Sequence, residues 1–120
     1  MITALHHVQV AIPAGGEPAA REFYGRLLGL TEVAKPAALA ARGGAWFRAG
    51  AAELHLGVDD PFVPARKAHP AFAVDGLDGV CARLRAAGID ARPDDLLPGH
   101  RRAYVDDPFG NRVELLEPLP

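Results

Sequence analysis

The 120-residue chain predicts an α+β fold: one domain made of two βαβββ modules, about 1–58 and 68–120, whose mixed sheets curve around a cavity. Three observations predict it. Strand and helix signals in the first half recur in the same order in the second. Gly29 and Gly88, each placed to close a helix, are 59 positions apart, and so are His55 and Glu114. The flanks of that second pair also match, Leu54-His55-Leu56 against Val113-Glu114-Leu115. His7 and His69 are 62 positions apart, as a three-residue difference in the loop before each helix requires.

In the first half, Val8, Val10 and Ile12 alternate with Gln9 and Ala11, the period of a half-buried strand. Pro13-Ala14-Gly15-Gly16 ends it, and Pro18 suits a first helical turn. Ala20, Phe23, Tyr24, Leu27 and Leu28 follow at helical spacing, with Gly29 as the residue that closes the helix. A short strand is expected over Thr31 to Ala34, and irregular chain from Lys35 to Arg42. Two strands follow, Ala45 to Ala49 and Ala52 to Val58, with a turn at Gly50.

Asp59 to Lys67, with Pro61 and Pro64, reads as the linker. In the second half, Phe72 and Val74 mark a strand after His69. Asp75 is the expected N-cap, and Leu77, Val80, Cys81 and Leu84 form the apolar stripe of an amphipathic helix that Gly88 closes. A short strand is expected around Ile89 to Arg92. The chain ends in a hairpin, Arg101 to Asp106 and Arg112 to Leu116, joined by the turn Asp107-Pro108-Phe109-Gly110-Asn111.

Composition narrows the function. The formal net charge is −2 with both signs interspersed, so no basic footprint for nucleic acid or an anionic membrane surface exists. Cys81 is the only cysteine, which rules out an intrachain disulfide and a cysteine-rich zinc module. The first residues lack the basic and apolar regions of a signal peptide, and no apolar run has the length of a membrane span. A soluble, cytoplasmic domain that binds a small molecule is expected.

Alternation along each strand assigns faces. With Val8, Val10 and Ile12 toward a helix, His7 and Gln9 face the other way. By the same rule His55 and Glu53 lie opposite Leu54 and Leu56, His69 opposite Phe72, and Glu114 opposite Val113 and Leu115. Three histidines and a glutamate thus fall on helix-free faces at repeat-related places. Imidazole and carboxylate together suit a divalent Zn, Ni, Co, Mn or Fe ion. Gln9, Glu53 and Arg112 on these faces read as solvated, and His6 as a structural residue on the core side or at the start of the strand.

The sequence resembles the vicinal-oxygen-chelate superfamily, the group of glyoxalase I, fosfomycin-resistance thiol transferases, extradiol dioxygenases and bleomycin-binding proteins. The resemblance spans the chain. It rests on Leu5-His6-His7-Val8-Gln9-Val10, on Glu22-Phe23-Tyr24-Gly25-Arg26-Leu27-Leu28-Gly29-Leu30, on His69-Pro70-Ala71-Phe72-Ala73-Val74, and on Asp107 to Leu115. It implies metal ligands from the first, fifth and eighth strands, here His7, His69 and Glu114, with His55 at the fourth-strand place. Glyoxalase I carries an acidic residue where this chain has His55.

Trp46 and Arg48 share one face of the third strand, and Arg102 and Tyr104 one face of the seventh; these four are the expected substrate contacts. His100, Arg101 and Arg102 form a small basic cluster that reads as solvated. Two functions follow. One is a metal-dependent enzyme, a glyoxalase-like lyase or isomerase or an extradiol-type dioxygenase, with Glu114 or a water on the metal as the proton carrier. The other is a metal-free binding or sequestration protein of the bleomycin-resistance type, holding its ligand against Trp46 and Tyr104. A homodimer is expected in either case, with modules pairing within one chain or across two.

Overall fold

The computed structural model describes residues 1–120, which form two compact units, Met1–Pro64 and Ala65–Pro120. The first holds β1 (His7–Ile12), α1 (Glu17–Ala20) continuing into a π-helical turn (Arg21–Leu27), β2 (Thr31–Val33), α2 (Ala37–Ala40), β3 (Ala45–Ala49) and β4 (Ala52–Val58). Its sheet order is β1-β4-β3-β2, with β1 parallel to β4 and the other pairs antiparallel. The second holds β5 (Ala71–Ala73), α3 (Leu77–Ala86), β6 (Arg92–Asp94), β7 (His100–Asp106) and β8 (Arg112–Pro118). Its order, β5-β8-β7-β6, repeats the first, again with only the β5–β8 pair parallel.

The helix-facing set in each sheet is the alternating apolar one. Val10, Ile12, Phe47, Leu54 and Leu56 are buried with Phe23, Tyr24 and Leu27 in the first unit. Ala103, Val105, Val113 and Leu115 are buried in the second, as are Leu77, Val80, Cys81 and Leu84 of α3. Each large apolar side chain fully removed from water contributes about 1.5–3 kcal/mol. Gly29 and Gly88 sit just past their helices at φ of 80° and 81°, a left-handed conformation that glycine enters without a Cβ penalty.

Several local expectations are corrected. The first helix is not a uniform α-helix: the Leu28 N–H reaches back five residues to the Phe23 carbonyl at 3.0 Å, and the π turn keeps Phe23, Tyr24 and Leu27 buried. The alanines of the expected irregular stretch form the short helix α2 after Pro36, in keeping with alanine's high helix propensity. Asp75 does not cap α3. Gly76 takes that position at φ 76°, and the Leu77 N–H is satisfied from β8 by Glu117 Oε2 at 3.0 Å. The sixth strand begins at Arg92 rather than Ile89. Ahead of it, the Ile89 N–H is bonded to the Leu84 carbonyl and the Ala91 carbonyl accepts from Arg85, so that stretch is tied to the helix end.

The Asp107–Asn111 turn is held by side chains. Asp107 Oδ1 accepts the N–H groups of Phe109 and Asn111, each at 2.9 Å, and Asp107 Oδ2 accepts from Asn111 Nδ2 at 2.9 Å. Asn111 Oδ1 then accepts the Ala65 N–H at 2.9 Å, and the Arg112 N–H bonds the Ala65 carbonyl at 2.9 Å. This clamp fixes the chain that leads into His69.

Candidate functional site

Pairing registers show that the two units place corresponding residues at corresponding points. Gln9 faces His55 across β1–β4, and Ala71 faces Glu114 across β5–β8. Trp46 faces His55 across β3–β4, and Tyr104 faces Glu114 across β7–β8. His7 and His69 each lie two positions before the first member of these sets. The triples His7, His55, Trp46 and His69, Glu114, Tyr104 are therefore equivalent, all on the face away from the helices.

In the first unit the triple is a ring stack. His55 lies on β4 between β1 and β3 and is clamped by their side chains. Its ring is 4.1 Å from that of His7 at 16° and 3.7 Å from that of Trp46 at 2°. His55 is buried, and its Nε2 is 2.8 Å from Glu53 Oε1. The carboxylate accepts, so Nε2 donates and Nδ1 is the bare nitrogen. That bond, above all else, holds the Glu53 carboxyl below its ordinary pKa. His6 is exposed rather than on the core side, and its Nδ1 lies 2.9 Å from His7 Nδ1. One of the two donates; with His7 as donor, its Nε2 is bare. Gln9 is not simply solvated either, because its amide packs over Gly57, where a Cβ would collide with it. Arg48, the register partner of Glu53, is exposed.

In the second unit, His69 Nδ1 lies 2.8 Å from the Lys67 carbonyl, which can only accept, so Nδ1 carries its proton. Nε2 faces Glu114 Oε1 at 2.9 Å. Two lone-pair atoms that close require a proton or a cation between them. Glu114 is 7% exposed, so water does little to relieve the pair. The other carboxylate oxygen, Oε2, is 3.5 Å from Arg102 Nη1, and Arg102 Nε is anchored on Asp94 Oδ1 at 2.9 Å. The Leu96 N–H, followed by Arg102, holds the Asp94 carboxyl below its usual value. The Tyr104 ring packs edge-on against His69 at 5.7 Å, and the guanidinium carbons of Arg102 and Arg112 lie 5.1 and 5.3 Å from its centre.

The basic run after Gly99 is dispersed by strand alternation. Arg101 pairs with Asp78 and Glu117, Arg102 turns to Asp94 and Glu114, and His100 bonds the Pro98 carbonyl. A cleft of about 690 Å³ lined by Leu77, Cys81, Arg85, Arg101 and Leu119 includes none of His69, Tyr104 or Glu114.

The His69–Glu114 pair has donor chemistry that suits a metal ion: an imidazole Nε2 whose opposite N–H is fixed by a backbone carbonyl, and a carboxyl group held at its second oxygen. No group of three or more His, Cys, Asp or Glu side chains able to hold an ion is brought together in the structure. Sequence reasoning missed the Glu53–His55 bond and the place of Arg112. Equal spacing of Glu53 and Arg112 before the repeat-related His55 and Glu114 was the signal that marked both positions.

A duplicated βαβββ unit with imidazole and carboxylate on its open faces defines a class, and comparison with known proteins identifies it. The model of the Glyoxalase/Bleomycin resistance protein/Dioxygenase superfamily matches residues 4–115, and the chain belongs to that superfamily. A protein from Bacillus anthracis assigned to the glyoxalase family is 46% identical, with a TM-score of 0.95, over 99% of this chain and 98% of that one. Lactoylglutathione lyase from Agrobacterium tumefaciens shares the fold at 23% identity and a TM-score of 0.76, over 97% and 94% of the two chains. A fosfomycin resistance protein from Listeria monocytogenes shares it at 17% identity and a TM-score of 0.78, over 99% and 96%. Among curated proteins none matches. No helix is long and apolar enough to cross a membrane.

Proposed function

We propose that the chain is a metal-dependent enzyme whose small substrate presents two oxygens to a divalent ion, Zn, Ni, Mn, Co or Fe. His7, His69 and Glu114 hold the ion, with His55 as a further donor through Nδ1. The observation that supports this most directly is the facing of His69 Nε2 and Glu114 Oε1 at 2.9 Å, a separation that suits two neighbouring ligands of one ion as well as a shared proton. When bound, such an ion supplies Lewis-acid stabilisation of negative charge on a substrate oxygen. The protein's own groups do the rest. Glu114 is the proton carrier, Arg102 fixes its carboxylate through Oε2, and Trp46 and His7 hold the His55 ring. Tyr104 forms the wall against the substrate, and Arg48 and Arg102 flank it. Two imidazoles and a carboxylate serve a glyoxalase-like lyase or isomerase step, or an extradiol-type dioxygenation; oxygen uptake with a catechol separates the second from the first.

The test is elemental analysis of protein made without an affinity tag, followed by titration with Ni²⁺, Mn²⁺ and Zn²⁺. One ion per site is expected. A chain that stays empty after all three overturns the reading in favour of metal-free ligand binding. Because the donors are divided between the two modules, we further propose a homodimer in which modules exchange between chains. A His7→Ala chain mixed with a Glu114→Ala chain then regains one intact site per mixed dimer. Mixtures that recover no metal binding refute the exchange and leave the ion within single chains.

A further inference from the structure

We infer that Arg112 is the residue of this face that recognises an anion, and that the substrate carries a carboxylate; this rests on the reading that the Glu114–His69 face is the reaction site. Three arginines lie on the helix-free face of the second sheet. Arg92 is bonded to Asp106 at 3.1 Å, and Arg102 to Asp94 at 2.9 Å and Glu114 at 3.5 Å. Arg112 has neither an ion pair nor a side-chain hydrogen bond. Asp106, its register partner, is already taken by Arg92, and its guanidinium instead lies over the Tyr104 ring at 5.3 Å.

Its place is fixed. The Arg112 N–H is bonded to the Ala65 carbonyl, and the preceding Asn111 is buried in the turn clamp. The guanidinium is thus held against an aromatic face with its N–H donors unspent, a geometry suited to bidentate binding of a planar carboxylate. The equivalent residue of the first unit, Glu53, is spent on His55. Arg112 therefore does not repeat a structural role of the duplicated module. It stands two residues from Glu114 on the same face, about 7 Å along the strand. A carboxylate held there places the next carbons of a small molecule beside Glu114.

The probes are lactate and lactamide, which keep the same two neighbouring oxygens and differ in charge. NMR titrations follow the Arg112 Nε–H resonance and the backbone amides, on protein stripped with EDTA and on Zn²⁺-loaded protein, with metal uptake measured separately. Lactate is expected to bind at least about tenfold more tightly than lactamide and to move the Arg112 Nε–H signal, since a charge-assisted hydrogen bond changes affinity by that order or more. Arg112→Gln should erase the preference and leave lactamide binding unchanged, and Arg112→Lys should retain part of it. Read on the metal-stripped protein, where no ion competes for the carboxylate, equal binding of the two probes, no binding of either, or a lactate preference that survives in Arg112→Gln overturns the inference. Lost metal uptake with an intact, Arg112-dependent lactate preference refutes the metal reading alone. Normal uptake with no such preference refutes this inference alone.

Discussion

Replacing Glu114 with glutamine separates the two roles that its carboxylate fills. The change keeps the shape of the side chain and removes its charge. In the native pair, His69 Nδ1 is committed to the Lys67 carbonyl at 2.8 Å, so its Nε2 has a lone pair to offer at 2.9 Å from position 114. A glutamine amide rotated with its NH₂ toward Nε2 donates into that lone pair, and the hydrogen bond survives with no shared proton. The amide oxygen then faces Arg102 and still accepts at that 3.5 Å contact, so the remaining loss is its ionic character, and Arg102 stays balanced by Asp94. Folding stability should therefore change by less than about 1 kcal/mol, or on the order of 4 °C in Tm.

Metal affinity responds differently. Glutamine offers a neutral oxygen where an anion stood, and the other proposed donors are neutral imidazoles. Partners that merely orient a metal ligand are worth about 10–100-fold in affinity, so loss of the anionic ligand should exceed about a hundredfold. The assay is paired: thermal unfolding of the metal-free protein, and competition with a chromophoric chelator for Zn²⁺ or Ni²⁺. A Gln variant that retains wild-type metal affinity refutes the ligand role. One that melts many degrees lower in the metal-free state refutes the proton assignment of His69.

Asn111→Ala removes the amide that bonds both Asp107 and the Ala65 N–H, and should destabilise the protein by about 2–4 kcal/mol in urea unfolding; a loss under about 1 kcal/mol would show that the turn holds without it. Asp94 has a folded-state pKa below its unfolded one, so its ionised form stabilises the fold at neutral pH, and that contribution fades as pH falls from near 3.8 toward the lowered value. Asp94→Asn should accordingly be less stable than wild type at pH 7 and match it in strong acid, and a gap that persists in acid would contradict this. Burial raises the Cys81 thiol pKa, so the thiol should resist a disulfide reagent until the protein unfolds; rapid stoichiometric labelling of the folded protein would refute that.

What the sequence revealed depended on how far apart the deciding partners lie. The strands Ala45–Ala49 and Ala52–Val58, the apolar stripe of α3 and the closing glycines follow from alternation, helical period and positive φ, all local properties. The faces of His7, His55 and Glu114 follow from the same alternation. The cap of α3 does not, because it comes from Glu117, 40 residues away, nor does the late start of β6, which Leu84 and Arg85 decide. At the site, alternation placed Glu53 and Arg112 on open faces but could not show which groups they meet. Glu53 meets His55 on its own strand, whereas Arg112 is defined by Asp106 having turned to Arg92 on a different strand.

The duplication also explains why the two units are not interchangeable. Equivalent positions carry opposite charge: Glu53 opposite Arg48 in the first sheet, Arg112 opposite Asp106 in the second. The central position changes from His55 to Glu114, and its aromatic neighbour from Trp46 to Tyr104. An imidazole at the centre can be clamped by flat rings on both sides, and the first unit does this with His7 and Trp46. A carboxylate cannot be stacked in that way and needs donors in its plane. The second unit supplies them as His69 at one oxygen and Arg102 at the other, with Tyr104 turned edge-on to His69. The backbone pairing is conserved between the units while the chemistry on it has diverged. One module presents a rigid, ring-stacked imidazole, and the other a buried carboxyl group with an unspent arginine two residues away.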